Sequence, residues 1–178
     1  MHFFTSESIE KHKEYLRQKK LKLSILRKSV SELGGKSIVE VDRMQIASDI
    51  KEEALRLMYE IEMHEIFFSS FYNDKAYTAS KRIRESYVTE AEFLNRLYRS
   101  ALEAEYGFIL AYIYKNKVRI SKGSIKDLLR GYGGPMLAID MCEHSYYPDY
   151  GFDKEKYLLA ALPFLRLDIF DGEIEKPG

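Results

Sequence analysis

Asp140-Met141-Cys142-Glu143-His144-Ser145-Tyr146-Tyr147-Pro148-Asp149-Tyr150 is the stretch on which the reading of this chain turns. It continues a short β-favouring run, Met136 to Asp140, so a carboxylate stands at a strand end and an imidazole follows four residues later. One turn of chain can bring Asp140 and His144 onto a single cation. Upstream, Gly107 to Tyr114 is rich in aromatic and β-favouring residues, Asn116-Lys117 offers a turn, and Val118 to Ser121 alternates with charged residues, which together predict a β-hairpin. Gly131, Gly133, Gly134 and Pro135 mark a loop before the third strand. Downstream, a last helix runs from about Lys154 towards Arg166. Pro163 must kink or end it, because proline has no amide proton and clashes with the preceding turn.

Before the strands the pattern is helical. Ile9, Leu16, Leu23, Leu26, Val30 and Leu33 recur at helical spacing after Thr5 and Ser6, which are candidate N-caps, and before Gly34-Gly35 as a stop. A second stripe, Ile46, Ile50, Ala54, Leu57, Ile61, Phe68 and Phe71, continues to Asn73-Asp74. The two stripes predict an antiparallel helical hairpin over residues 1–74. Residues 74–87 read as a polar, Tyr-rich connector with one short helix. Thr89 and Glu92 form a capping box that opens a helix carrying Phe93, Leu97, Ala101 and Ala104. An all-helical first part and a mixed second part over residues 75–178 make the fold class α+β.

Of 178 residues 46% are apolar and 31% charged, with 28 acids against 28 Lys and Arg, the composition of an ordinary globular chain. The neutral balance argues against nucleic acid as a partner, and the basic run Arg17 to Lys22 reads as a solvated helix face. No apolar run approaches the ~18 to 20 residues that span a bilayer, so no membrane partner is expected. Met1-His2-Phe3-Phe4 lacks the features of a secretory signal, and Cys142, the single cysteine, cannot form an internal disulfide. Both point to a cytoplasmic chain.

His12 falls on the first stripe and His64 on the second, so both imidazoles point into the interface between the helices. The plain alternative is a pair of core histidines, each satisfied by a hydrogen bond. With Asp140 and His144 they make three imidazoles and one carboxylate, a donor set that suits Fe or Mn and leaves room for solvent. Other schemes fit less well. A di-iron bundle needs Glu-x-x-His, but Ile61 stands three before His64; a structural zinc site needs several thiolates. Nucleophilic chemistry by Cys142 with His144 rests only on their nearness in sequence. The glycines at 131–134 follow no clear strand and carry no Lys-Ser/Thr, which argues against a phosphate loop.

These residues resemble the iron/manganese superoxide dismutase family. Asp140 to Tyr150 is similar to the family's Asp-x-Trp-Glu-His-x-Tyr-Tyr-x-x-Tyr, Met63-His64-Glu65-Ile66-Phe67-Phe68 to its Asn-His-x-x-Phe-Trp, and Thr5 to His12 to the segment ending in its first metal histidine. Ala101 to Tyr112 falls where the family has Phe-Gly-Ser-Gly-Trp-x-Trp. The resemblance implies a three-stranded antiparallel sheet in the second domain, the ligands His12, His64, Asp140 and His144 around one Fe or Mn per subunit, and dismutation of superoxide. It also implies a homodimer in which Glu143 reaches His144 of the partner subunit. Tyr15, Glu60, Glu143 and Tyr147 are then the candidate catalytic residues. A superoxide dismutase-like chain that keeps the fold as a structural or assembly component is the alternative, and a metal-dependent oxidase or peroxidase resting on Glu60 a third reading.

Several positions depart from the family. Its Trp positions appear here as Phe68, Leu110, Tyr112, Cys142, Leu162 and Leu167. An ungapped reading puts Leu16 and Lys20 where the family has a second histidine and a gateway tyrosine. Tyr15 fits the gateway only with a deletion of about five residues, which turns a helix by about 140°. Glu60 stands where the iron enzymes carry a metal-tuning Gln, and Ser121 to Ile125 offers no counterpart to the manganese enzymes' Gln. About 40° round the helix from His64, Glu60 can face the metal or solvent.

Overall fold

The computed structural model describes residues 3–72, 80–126 and 136–172. Helix α1 (Ser6–Ser29) opens on Thr5, whose side chain accepts the Ser8 amide. A 3₁₀ turn (Ser31–Leu33) continues it to the Gly34-Gly35 stop, where Gly35 takes a positive φ of 68°. Helix α2 (Ile38–Arg43) starts at a reciprocal capping box between Ser37 and Glu40, a short element that the apolar stripes did not signal. Helix α3 (Ser48–Ser69) carries the second stripe and buries Ala54, Leu55, Leu57, Met63, His64 and Phe67. Partners along the two long helices run in opposite senses, His12 with His64, Tyr15 with Glu60, and Leu33 clustered with Ala54. The hairpin is antiparallel, as the stripes require.

In the connector Ser80 caps helix α4 (Lys81–Ser86). Thr89 caps α5 (Glu90–Leu102) by accepting the Glu92 amide at 3.0 Å, while the Glu92 carboxylate takes the amide of Val88, one residue before the cap. Strands β1 (Phe108–Tyr114), β2 (Lys117–Lys122) and β3 (Met136–Asp140) form one antiparallel sheet in the order β2-β1-β3. The hairpin turn sits one residue earlier than its sequence signal. Lys115 and Asn116 hold the positive φ angles, 48° and 61°, that a two-residue turn demands of both central residues. Pairing of Phe108 with Asp140 leaves the Asp140 carboxylate at the end of the central ladder. The glycine-rich loop before β3 lies outside the described residues.

Helix α6 (Glu143–Tyr150) follows β3 after two residues, and α7 (Lys154–Ala161) ends in a 3₁₀ turn (Leu162–Phe164) that contains Pro163. The missing proline amide therefore ends the last helix as expected. Cross-links from distant parts of the chain position the central elements. The Thr5 amide and hydroxyl both donate to the Asp149 carboxylate, at 2.8 and 2.7 Å, and tie the start of α1 to the end of α6. Ser70, at the end of α3, accepts the Ala138 amide of β3 through its hydroxyl oxygen and the Arg166 amide through its carbonyl.

Two apolar clusters hold these elements together. The larger takes Phe3, Phe4, Met63, Phe67 and Phe71 from the helical part, together with Phe93, Leu97, the β1 and β3 side chains, Tyr146, Tyr157 and Phe170. Full burial of each such side chain contributes roughly 1.5–3 kcal/mol. The smaller cluster, Leu33, Val41, Ala54 and Leu55, closes the far end of the hairpin. Fold class is thus α+β, a helical hairpin followed by a mixed part with a three-stranded antiparallel sheet.

Candidate metal centre

Four elements bring one donor each to the same place. His12 comes from α1, His64 from α3, Asp140 from the end of β3 and His144 from the first turn of α6. One ligand atom of each lies within 4.8 Å of all the others. Asp140 is fully buried, the His12 and His64 side chains are each 2% exposed, and the His144 side chain is 32% exposed.

Four of the spacings between donors fit a cation site better than a hydrogen-bonded core. Asp140 Oδ2 lies 3.4 Å from His12 Nε2, 3.6 Å from His64 Nε2 and 3.5 Å from His144 Nε2, and the last two nitrogens are 3.3 Å apart. Charge-assisted N–H···O bonds are about 2.7–2.9 Å, so these contacts are too long for direct pairing. Donors about 2.1 Å from a common ion stand about 3.0–3.6 Å apart, by the geometry of the bond lengths usual for such ligands.

Protonation points the same way. His64 Nδ1 lies 2.6 Å from the Glu60 carbonyl, which can only accept, so Nδ1 carries the proton and Nε2 offers a lone pair to the cluster. Burial pushes His64 down from its ordinary value, and burial with the neighbouring His12 and His64 pushes His144 down to about 4 against the opposing charge of Asp140. Burial opposes ionisation of Asp140, but the nearby His12 and the charges that His144, His64 and His12 carry when protonated outweigh it and hold the carboxyl at about 2. A carboxylate beside convergent imidazole nitrogens is a donor set that fits a divalent or trivalent cation.

Ser145 supports the carboxylate. This buried hydroxyl donates to Asp140 Oδ2 by a short hydrogen bond and lies 3.4 Å from His12 Nε2, while the Cys142 amide donates to Oδ1 at 2.8 Å. Tyr157 donates to the Asp140 carbonyl at 3.1 Å. Ser145 occupies an unspecified position of the family's segment; the signal available in the sequence was a small hydroxyl beside a ligand at the start of a helix. Apolar rings wall the cluster. Phe67 and Phe68 lie 5.1 and 5.0 Å from the His12 ring, and Phe108 lies 5.2 Å from His64. The aromatic lining is rebuilt from phenylalanines, Phe68 standing at a family Trp position.

The remaining candidates fall on different sides of the cluster. Tyr15 stacks on His144, with ring centroids 4.4 Å apart and 23° between planes, although its spacing from His12 did not favour that place. Glu60 is not among the four donors. Its Oε2 meets the Tyr15 hydroxyl at 3.2 Å and Lys19 Nζ at 2.5 Å, and its Oε1 meets Arg56 Nη1 at 2.7 Å. Glu143 is exposed at the start of α6, and Tyr147, also exposed, packs edge-on against Phe152 at 5.0 Å. The Cys142 thiol is pushed up to about 12 by burial and by Asp140, so it stays protonated and unsuited to nucleophilic attack at neutral pH.

Fold and donor set together define a class: an α+β chain in which a helical hairpin and the end of a strand share a candidate mononuclear centre of three histidines and one aspartate. The description "iron/manganese superoxide dismutases, C-terminal domain" belongs to a family model that matches residues 75–169, which include Asp140 and His144. The chain belongs to the iron/manganese superoxide dismutase family. No curated protein matches it as a relative.

Proposed function

We propose that this chain is a superoxide dismutase holding one Fe or Mn per subunit on His12, His64, Asp140 and His144. The observation that carries the reading is the convergence of those four donors within 4.8 Å of one another, with Asp140 Oδ2 3.4–3.6 Å from all three imidazole nitrogens. Bound there, the metal would supply one-electron chemistry, oxidising one superoxide to oxygen and reducing a second, with two protons, to hydrogen peroxide. The protein's part is to hold that chemistry in one geometry. The Glu60 carbonyl fixes the His64 tautomer, and Ser145 and the Cys142 amide orient Asp140. Phe67, Phe68 and Phe108 keep bulk water from the buried side, while Tyr15 covers the half-open His144.

The chain acts as a homodimer in this reading, with Glu143 bonded to His144 of the partner subunit. Support comes from the exposure of Glu143, the partial exposure of His144 against the near-complete burial of the other two histidines, and the exposed Tyr147 and Phe152 beside them. Among the described residues no helix is long and apolar enough to cross a membrane. A cytoplasmic location fits the single cysteine.

One observation favours the alternative of a chain that keeps the fold without turnover: a carboxylate, Glu60, held in ion pairs where the resembling iron enzymes carry an amide donor. Metal analysis of the purified protein, paired with a superoxide assay before and after chelation, separates the readings. Stoichiometric Fe or Mn with activity abolished by chelation supports the enzyme; bound metal without activity, or no metal uptake by the folded protein, overturns the enzyme and supports the alternative.

A further inference from the structure

Against the donor cluster lies a network of charges that the four ligands do not use. Lys19 Nζ sits 2.5 Å from Glu60 Oε2 and 4.6 Å from the centroid of the Tyr15 ring, so one ammonium holds both the acceptor of the Tyr15 hydroxyl and the face of the ring. Arg56 occupies the other oxygen of Glu60. The Lys19 and Glu60 side chains are 14% and 20% exposed. Among the described residues, the Lys and Arg ion pairs that do not involve Glu60 have side chains at least 34% exposed. This partly buried pair is therefore unlike the more exposed pairs, which are individually worth little.

We propose that Lys19 is a positioning residue: by holding Glu60 Oε2 it fixes the Tyr15 ring over His144 and keeps the Glu60 carboxylate out of the metal's coordination sphere. The second half of this statement rests on the metal reading above; the first does not. The backbone makes the restraint necessary. Glu60 is one helical turn before His64 and its own carbonyl bonds the His64 ring, so its carboxylate belongs to the turn that carries a ligand. An unrestrained carboxylate this near a di- or trivalent ion is a competing oxygen ligand.

With Lys19 and Arg56 in place, both oxygens are engaged from the α1 and α3 side. Glu60 thus remains an acceptor, and the Tyr15 hydroxyl must be the donor. That bond closes a loop between helices: His144 beneath the ring, Glu60 at the hydroxyl and Lys19 over the ring and the carboxylate.

The test compares full-length wild type with Lys19→Met, Lys19→Arg, Tyr15→Leu and the double variant Lys19→Met/Glu60→Gln. In metal-free protein the His144 ring protons, assigned by their loss in His144→Gln, are shielded by the Tyr15 ring and resonate upfield in NMR spectra. Lys19→Met is expected to move them to the positions seen in Tyr15→Leu. Lys19→Arg retains the wild-type shift because it keeps the cation, and the double variant recovers it because a neutral amide oxygen accepts from Tyr15 without needing one. Lys19→Gln replaces Lys19→Met in the series if the latter does not fold.

Co²⁺ then serves as the probe cation. Its visible spectrum should change in Lys19→Met, as Glu60 gains access to the ion, and return to the wild-type form in Lys19→Arg and in the double variant. Unchanged His144 shifts in Lys19→Met, or shifts lost equally in Lys19→Arg, overturn the role of Lys19. An unchanged Co²⁺ spectrum in Lys19→Met overturns the guarding of the metal. Failure of wild type to take up Co²⁺ overturns the metal reading and with it the guarding, while the shifts still decide whether Lys19 sets Tyr15.

Discussion

Replacing Asp140 by Asn keeps the shape of the side chain and removes the only anionic donor of the cluster. The wild-type carboxyl is held at about 2 against an ordinary 3.8. At about 1.4 kcal/mol per pKa unit, neutralising it costs the folded protein about 2–3 kcal/mol relative to the unfolded chain, and full burial of Asp140 removes any discount for solvent screening. The sign is that of a depressed acid: this stability is present above pH 3.8 and lost as the pH falls through about 2. Asn mimics the protonated state at neutral pH, so under chelation Asp140→Asn should be about 2–3 kcal/mol less stable, or unfold about 5–10 °C lower for a chain of this size.

Metal enlarges the gap. At a free metal concentration of about 100 Kd the wild type gains about 2.7 kcal/mol; a ligand deletion that weakens binding about 100-fold leaves the variant about 0.4 kcal/mol at the same concentration. Urea unfolding followed by circular dichroism, with EDTA and with fixed free Mn²⁺, should therefore give a difference of about 2–3 kcal/mol without metal and about 5 kcal/mol with it. An equal difference under both conditions would show that Asp140 is not a ligand. No difference under chelation would show that its charge is not stabilised by the surrounding groups.

Ser145→Ala removes the hydroxyl on Asp140 Oδ2 and should weaken metal binding about 10–100-fold in a competition titration, with the fold retained; unchanged affinity assigns Ser145 to packing alone. Glu143→Ala should lower metal content and shift the protein toward monomer in sedimentation, and an unchanged dimer with full metal counts against the intersubunit bond. His144 is held neutral by burial, at about 4 against 6.5. The unfolded chain then binds more protons between those values, so metal-free stability should fall as pH drops from 6.5 to 4 and gain nothing above. Discounted for the 32% exposure of the side chain, the His144 contribution is on the order of 1–2 kcal/mol. His144→Gln should flatten the urea midpoint across that range, and an equally steep profile in the variant refutes the assignment.

Much of this architecture is written in local pattern. Helical stripes placed His12 and His64 on facing surfaces, because side chains three and four residues apart share one side of a helix whatever they later touch. The strand run up to Asp140 and the four-residue step to His144 needed only local backbone geometry, and Thr89 and Pro163 delimit their helices through bonds made or forbidden within a turn. The Ser37–Glu40 capping box that starts α2 is equally local, and was hidden by the weakness of a six-residue apolar signal beside two long stripes. At the hairpin, pairing of Tyr114 with Lys117 set the turn one residue earlier than its composition suggested.

Tertiary structure alone decided the surroundings of the donors. Tyr15 lies over His144 because α6 is tied to the start of α1 through Asp149 and Thr5, a contact across 144 positions that no periodicity encodes. From its helix angle Glu60 had two directions open to it; Lys19 and Arg56, supplied by two different helices, hold it in one. Periodicity specifies which face of an element a residue occupies, whereas the rotamer and the partner of a polar side chain are chosen by the neighbours that packing brings within about 3 Å, the range over which a hydrogen bond exists.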